Sequence, residues 1–288
     1  MKNIYELEEA QEATGDNVLV IDALNLAFRW KHPPRATFAE QYVDMVKSVA
    51  KSYNAEKILV ITDIGSSTYR KEIYPEYKAD RKAKYADQTE EEYEEFQKFF
   101  QEFNRALELC RDKFCVIGYK GVEADDLAAL IKQMSHDPNY NLITKDHIWM
   151  VSTDKDWDLL IDDKVSRWSY TQRKEYVKSD GVSADEIPFD ILLDVKVIVG
   201  GKDNVAGIPG IGIKRAIALI EKYGDAFDIV ESLPLPGTAQ YIKKLNELGK
   251  EVILRNIELM DKTTYINEAV GTENVRDAIN KIEEYLIS

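Results

Sequence analysis

Aspartates recur at the ends of apolar, β-branched runs in this 288-residue chain. Asp22 ends VLVID, Asp63 ends LVITD, and Asp154 and Asp156 end MVSTDKD. In an open α/β sheet the ligand crevice lies beyond the carboxyl ends of the strands, so acids carried on several strand ends meet there. A further set, Gly121-Val122-Glu123-Ala124-Asp125-Asp126, opens a helical pattern, and Glu123 and Asp126 share one face at i, i+3 spacing. Carboxylates gathered this closely repel one another unless a cation lies among them. Oxygen ligands without neighbouring Cys or His suit Mg²⁺ or Mn²⁺ rather than zinc. Taken singly, an aspartate after a strand is a helix N-cap, and Glu-Ala-Asp-Asp at a helix start complements the dipole. Three strand-end sites together with an acidic helix start point instead to a joint metal centre.

A second constellation, Gly207-Ile208-Pro209-Gly210-Ile211-Gly212 followed by Ile213-Lys214-Arg215, has the form of the hairpin in a helix-hairpin-helix motif. Glycines let the backbone approach a neighbour, and free N–H groups at the next helix start hold a phosphate. Lys214 and Arg215 then add phosphate contacts that read no bases. A glycine-rich turn alone is only a turn; the hairpin pattern with two basic residues after it argues for DNA. Residues 68–84 carry six basic side chains against three acids, interleaved with Tyr69, Tyr74 and Tyr77, and residues 164–178 carry five against one. These stretches stand out because the chain is acidic, with 38 Lys and Arg against 52 Asp and Glu and a net charge of −14. Such a balance disfavours unspecific adhesion to phosphate without excluding a local basic path.

The elements that must carry these residues alternate. VLVIDAL (18–24), KILVITDI (57–64) and IWMVSTDK (148–155) read as buried strands. Phe38, Tyr42, Met45, Val49 and Tyr53 mark one face of a helix between the first two. Thr89 and Glu92 have capping-box spacing and open a helix with the stripe Tyr93, Phe96, Phe100, Phe103, Leu107. Another helix is predicted from about Glu123 to Met134. This alternation implies an α/β unit over residues 18–180, a mostly parallel central sheet flanked by helices. Beyond residue 180 the strands stop. Ser183 with Glu186 predicts a capped helix, the hairpin occupies 200–223 and two more helices follow, so 181–288 reads as a helical region. Residues 1–17 read as an acidic mobile tail without the apolar core of a secretory signal. No stretch approaches the about 20 apolar residues of a membrane span. Two cysteines, Cys110 and Cys115, are too few for a disulfide framework. A soluble, cytoplasmic protein is expected.

Val20-Ile21-Asp22, Tyr74-Pro75-Glu76-Tyr77-Lys78-Ala79-Asp80-Arg81, the Gly121–Asp126 segment, Ser152-Thr153-Asp154-Lys155-Asp156-Trp157-Asp158, and Asp203-Asn204 before the hairpin follow the order of the 5′-nuclease superfamily. Over about residues 18–265 the chain resembles its flap endonucleases and 5′→3′ exonucleases, most of all those of bacteriophages. The resemblance implies a helical arch over about residues 68–100 and metal-dependent hydrolysis of 5′ flaps and 5′ ends in DNA replication and repair. It implies two Mg²⁺ ions, replaceable by Mn²⁺. Asp22, Asp63, Glu123 and Asp125 match the ligands of the tighter ion, and Asp126, Asp154, Asp156 and Asp203 match groups at or between the two. Lys78 and Arg81 match the basic pair of the arch, and Tyr77 the aromatic that stacks on a base. Phe28, Arg29 and Lys31 match a region that touches substrate. Gly207, Gly210, Gly212, Lys214 and Arg215 match the duplex-binding hairpin with its bound K⁺. The implied partners are branched or 5′-flapped DNA, with RNA/DNA primers as a further substrate, acted on by a monomer in the cytoplasm (the host's, for a phage protein).

One stretch departs from that pattern. Relatives usually read Gly-Asp-x-x-Asp-Asn before the hairpin, whereas Gly200-Gly201-Lys202-Asp203-Asn204 is one residue shorter and lacks one aspartate. A second ion held by fewer carboxylates is expected to bind weakly without DNA. Two rival functions stay open on the residues themselves: a PIN-type ribonuclease, and a paralogue that holds branched DNA without cutting it. His32, His136 and His147 lack metal-like spacing and read as surface or supporting groups.

Overall fold

The computed structural model describes residues 17–31, 37–80, 89–140, 147–201 and 203–287. The expectations for Arg81, His32, Lys202 and the first sixteen residues lie outside them. Among the described residues six strands form one sheet: β1 (Asn17–Asp22), β2 (Ala55–Ile61), β3 (Cys115–Ile117), β4 (Ile148–Val151), β5 (Val165–Ser169) and β6 (Lys174–Tyr176). Their order is β3-β2-β1-β4-β5-β6, parallel throughout except that β6 runs antiparallel to β5. The apolar runs are continuous because both faces are covered. Val18, Val20, Leu59 and Ile61 face one buried cluster with Leu127 and Ile131. Leu19, Ile21, Ile58 and Val60 face the other, with Tyr42, Phe99 and Phe103. Each such side chain contributes about 1.5–3 kcal/mol by leaving water.

The covering helices are α1 (Ala23–Ala27), α2 (Ala39–Ser52), α3 (Thr68–Ile73), α4 (Glu90–Arg111) and α5 (Ala124–His136). Thr89 caps α4 with the expected reciprocal box to Glu92. The buried face of α4 nevertheless runs through Phe99, Phe103, Ala106, Leu107 and Cys110, and Tyr93 is exposed. Strands β5 and β6 were not anticipated, because Arg167 interrupts the apolar pattern of β5. Its charge is buried against Asp158, 2.6 Å away, so a polar residue occupies a core position.

The second half contains α6 (Leu192–Val199), α7 (Ile213–Tyr223), α8 (Ala226–Glu231) and α9 (Gln240–Met260), packed around Ile198, Ile208, Leu219 and Ile253. No helix forms over 183–186. Ser183 Oγ instead accepts the N–H groups of Asp185 and Ile187, and Glu186 takes a φ of 60°, which folds a turn. The hairpin lies between α6 and α7. A Cβ on Gly207 would sit 2.1 Å from the carbonyl carbon and oxygen of Val199, so only glycine lets the two backbones pass. Asn256, buried on α9, donates to the carbonyls of Val197 and Ala206 and fixes the hairpin to that helix. Helices α10 (Ile266–Val270) and α11 (Thr272–Ile287) depart from the expected helical region. Their Ile266, Val270, Ala278 and Ile282 return to the cluster under β1 and β2, completing the α/β core from the far end of the chain.

Candidate metal centre

Strand order sets the site. β1 has β2 on one side and β4 on the other, so the connections diverge at the carboxyl end of β1 and leave a crevice there. Asp22 is the last residue of β1, Asp63 lies two residues beyond β2, and Asp154 and Asp156 follow β4. Asp22 is buried, accepting from Ser152 Oγ at 2.8 Å and from the Asn25 N–H at 3.3 Å. Asp154 accepts the Asp156 N–H at 3.0 Å. Both therefore cap helical turns, the ordinary role of such residues, while pointing a carboxylate at the crevice. Asp63 Oδ1 accepts the N–H of Ala124 at 2.5 Å, which docks the start of α5 onto the end of β2. Glu123, the N-cap of α5, Asp125 and Asp126 bring carboxylate oxygens within 4.8 Å of one another.

The charges show strain that a cation would relieve. Burial, then the neighbouring charge of Asp63, holds the Asp22 carboxyl well above the usual carboxylate range. Burial pushes Asp63 up to about 6, with Glu123 and Asp125 adding to the rise while the Ala124 N–H and Lys78 oppose it. Asp125 Oδ1 is buried and has no hydrogen-bond partner among the described residues. A carboxylate oxygen in that position is costly unless something positive meets it. An all-oxygen donor set with one vacant, buried carboxylate oxygen fits a divalent cation.

Basic side chains line the same carboxylates. Lys78 Nζ lies 2.5 Å from Glu123 Oε1 and 3.7 Å from Asp203 Oδ2. Lys78 and Asp203 both adopt left-handed backbone, with φ of 56° and 64°, and the Lys78 N–H donates to the Asp203 carbonyl at 3.0 Å. Non-glycine residues rarely sit there, and this linked pair fixes Lys78 over the site. Arg70 grips Asp126 through both oxygens, at 2.8 and 2.6 Å, and reaches Glu123 Oε2 at 3.1 Å. Lys196 pairs with Asp156 at 2.5 Å and Lys262 with Asp125 at 2.8 Å. Burial works to raise Glu123 and Asp125, but Lys78, Lys262 and Arg70 outweigh it and hold both below their usual range.

The family model of the 5′-3′ exonuclease N-terminal, resolvase-like domain matches residues 17–186, more than half of the chain. The chain belongs to the 5′-3′ exonuclease family. It is 40% identical over 282 residues to the flap endonuclease of Escherichia phage T5, covering 96% of this chain and 94% of that protein. It is 28% identical over 272 residues to the 5′-3′ exonuclease of Mycoplasmopsis pulmonis, covering 88% and 86% of the two. The fold matches a crystal structure of the bacteriophage T5 flap endonuclease in a pseudo-enzyme-product complex with DNA and metal ions. That match has a TM-score of 0.86 and 39% identity and covers 94% of this chain and 100% of the other. A T5 5′-exonuclease with bound zinc matches with a TM-score of 0.87 and 40% identity, covering 94% and 99%.

Tyr77, matched by the resemblance to an aromatic that stacks on a base, does not offer that surface here. It is 6% exposed and its hydroxyl donates to Glu123 Oε2 at 3.0 Å. A ring enclosed by Val205 and Leu259 has no open face for a nucleobase. Phe28 is the exposed ring instead, at 39%, stacked on Phe99 with centroids 5.5 Å apart. Lys31 Nζ lies 5.3 Å from the rings of both Phe28 and Phe96, and Arg29 is exposed beside them. Lys214 and Arg215 are exposed in the first turn of α7. Arg215 turns back onto the Gly210 carbonyl and the Tyr241 ring, which leaves Lys214 extending from the hairpin. Asp194, upstream of the shortened stretch, accepts the Ala226 N–H at 3.0 Å and serves α8. Sequence reasoning missed Arg70, Lys196 and Lys262. Lys196 had a usable signal, the lone basic residue inside the mostly apolar run LLDVKVIV, whereas Arg70 was lost in a basic stretch.

Proposed function

We infer that this carboxylate centre cuts DNA: the protein is a structure-specific 5′ nuclease that hydrolyses phosphodiesters of branched or 5′-flapped DNA with divalent metal ions. The observation that carries the reading is the meeting of Asp22, Asp63, Glu123 and Asp125 at the strand-order switch, with a buried oxygen of Asp125 unpartnered. The proposed ions are Mg²⁺, with Mn²⁺ as a substitute. Asp22, Asp63, Glu123 and Asp125 are proposed to hold the tighter one, and Asp154, Asp156 and Asp203 the second. Asp126 is proposed to act through Arg70, which already occupies both of its oxygens. When bound, the metal ions polarise the phosphate and lower the pKa of attacking water.

The chain's own groups position the substrate. Lys78, held over the site by Asp203, is placed to offset charge that grows on the scissile phosphate. The Tyr77 hydroxyl keeps Glu123 oriented. Phe28 with Lys31 and Arg29 offers an aromatic and basic surface suited to a single strand of any sequence. The Gly207–Gly212 hairpin and Lys214 are proposed to hold the duplex by its phosphates, with a K⁺ at the hairpin. Asp125→Asn should lower cleavage of a 5′-labelled flap in Mg²⁺ by roughly a hundredfold or more while junction binding persists, since the lost group holds a cation rather than the duplex. Equal loss of binding and cleavage in a folded variant would remove the metal role from Asp125.

A further inference from the structure

Lys262 follows α9, outside every motif that marks the site, yet its side chain reaches the centre. It is 7% exposed, and its ammonium lies 2.8 Å from Asp125 Oδ2. The other carboxylates of the α5 start are already satisfied: Glu123 by Lys78, Tyr77 and Arg70, and Asp126 by Arg70 through both oxygens. Asp125 differs, with Oδ2 on Lys262 and Oδ1 bare and buried. One carboxylate therefore faces two cation positions, one filled by the chain itself. A lysine enclosed this completely is stable only while a negative charge is beside it.

We propose that Lys262 is a built-in counter-ion that neutralises Asp125 when no divalent metal is bound and competes with the metal for that carboxylate. The proposal rests on the metal reading above. In the metal-free protein the pair joins the segment after α9 to the start of α5, so the helical half of the molecule helps to hold the empty centre together. A second cation arriving at Oδ1 meets a carboxylate already half neutralised and an ammonium that repels it, so metal affinity is set lower than the carboxylates alone would allow.

Calorimetric titration of the DNA-free protein with Mg²⁺ or Mn²⁺ tests this without reference to cleavage. Lys262→Met, which keeps the length and removes the charge, should bind metal roughly tenfold more tightly or better. Its thermal midpoint in EDTA should fall, and the rise on adding metal should exceed that of the natural protein. Unchanged or weaker metal binding in a variant with a native circular dichroism spectrum would overturn the proposal. Should Lys262→Met not fold, ¹⁵N-lysine NMR of the natural protein reads the same pair. A protected ammonium resonance that shifts on adding Mg²⁺ supports competition, and one indifferent to metal refutes it. If the natural protein itself binds no divalent metal, the metal reading fails, a result distinct from failure of the lysine role.

Discussion

At the scale of single residues, the enclosed charges decide how this protein answers to pH. His147 shows it away from the metal centre: its Nε2 lies 2.8 Å from Ser166 Oγ and its ring 5.1 Å from Trp149. Burial depresses its pKa below the ordinary 6.5, with Asp162 partly offsetting the fall. The unfolded chain therefore takes up the proton first as pH drops. The resulting stability is whole above 6.5 and is lost as pH falls below it toward the lowered folded value. Denaturant melts of His147→Gln should accordingly show a shallower acid decline through that window than the natural protein. A second residue prediction concerns Tyr77→Phe, which keeps the ring and removes the hydroxyl that donates to Glu123. Losing a buried bond to a charged group should cost about 1.5–3 kcal/mol in metal-free denaturant melts. An unaltered melt would mean that the hydroxyl does not orient Glu123. Legibility at this scale followed exposure to local pattern: Asp22, Asp63 and Asp154 were visible because strand ends announce them. Lys262 was invisible because its meaning comes from Asp125, far away in sequence and 2.8 Å away in space.

Individual elements were legible where the backbone imposes a local rule. The Thr89–Glu92 box needs only neighbours, and it formed. The glycine spacing of 207–212 likewise required a close backbone crossing, and Gly207 lies against Val199. Elements whose identity depends on distant partners were misread. The 183–186 stretch has the capping letters of a helix, but Asp158 takes the Ala184 N–H at 2.8 Å and Ser183 gives its hydroxyl to a turn. β5 is not legible from its local pattern because the partner that lets Arg167 be buried, Asp158, belongs to another segment. The hairpin also supplies a prediction. Gly207→Ala would drive a methyl into the Val199 carbonyl and should destabilise the protein by about 2–4 kcal/mol. The duplex affinity of the fraction that stays folded should fall, since the hairpin must open to relieve the clash. Urea melts alongside duplex binding at fixed salt check both, and an unaffected melt would show that the crossing tolerates a side chain.

For the molecule as a whole, the sheet is closed by what comes last. Ala278 and Ile282 of α11 complete the cluster under β1 and β2, and the Ile58 N–H donates to the Tyr285 hydroxyl at 3.1 Å. Removal of residues 272–287 should therefore destabilise the α/β half more than the helical half, although it is cut from the opposite end of the chain. Hydrogen exchange is the suitable readout. Protection should drop across β1, β2 and α5 while α7 and α9 keep theirs, and the reverse pattern would contradict the packing described.

That closure has a consequence for synthesis on the ribosome. Lys57 donates to the carbonyl of Tyr285, a partner 228 residues later. At roughly 5–20 residues per second, β2 leaves the ribosome on the order of ten seconds or more before α11, the last of its cover, exists. Throughout that interval the apolar face under β1 and β2 lacks the part of its cover that α11 supplies, Ala278 and Ile282. The α/β core is thereby completed only after translation has passed α11, so a nascent chain with every acid already in place still lacks part of the packing beneath its site.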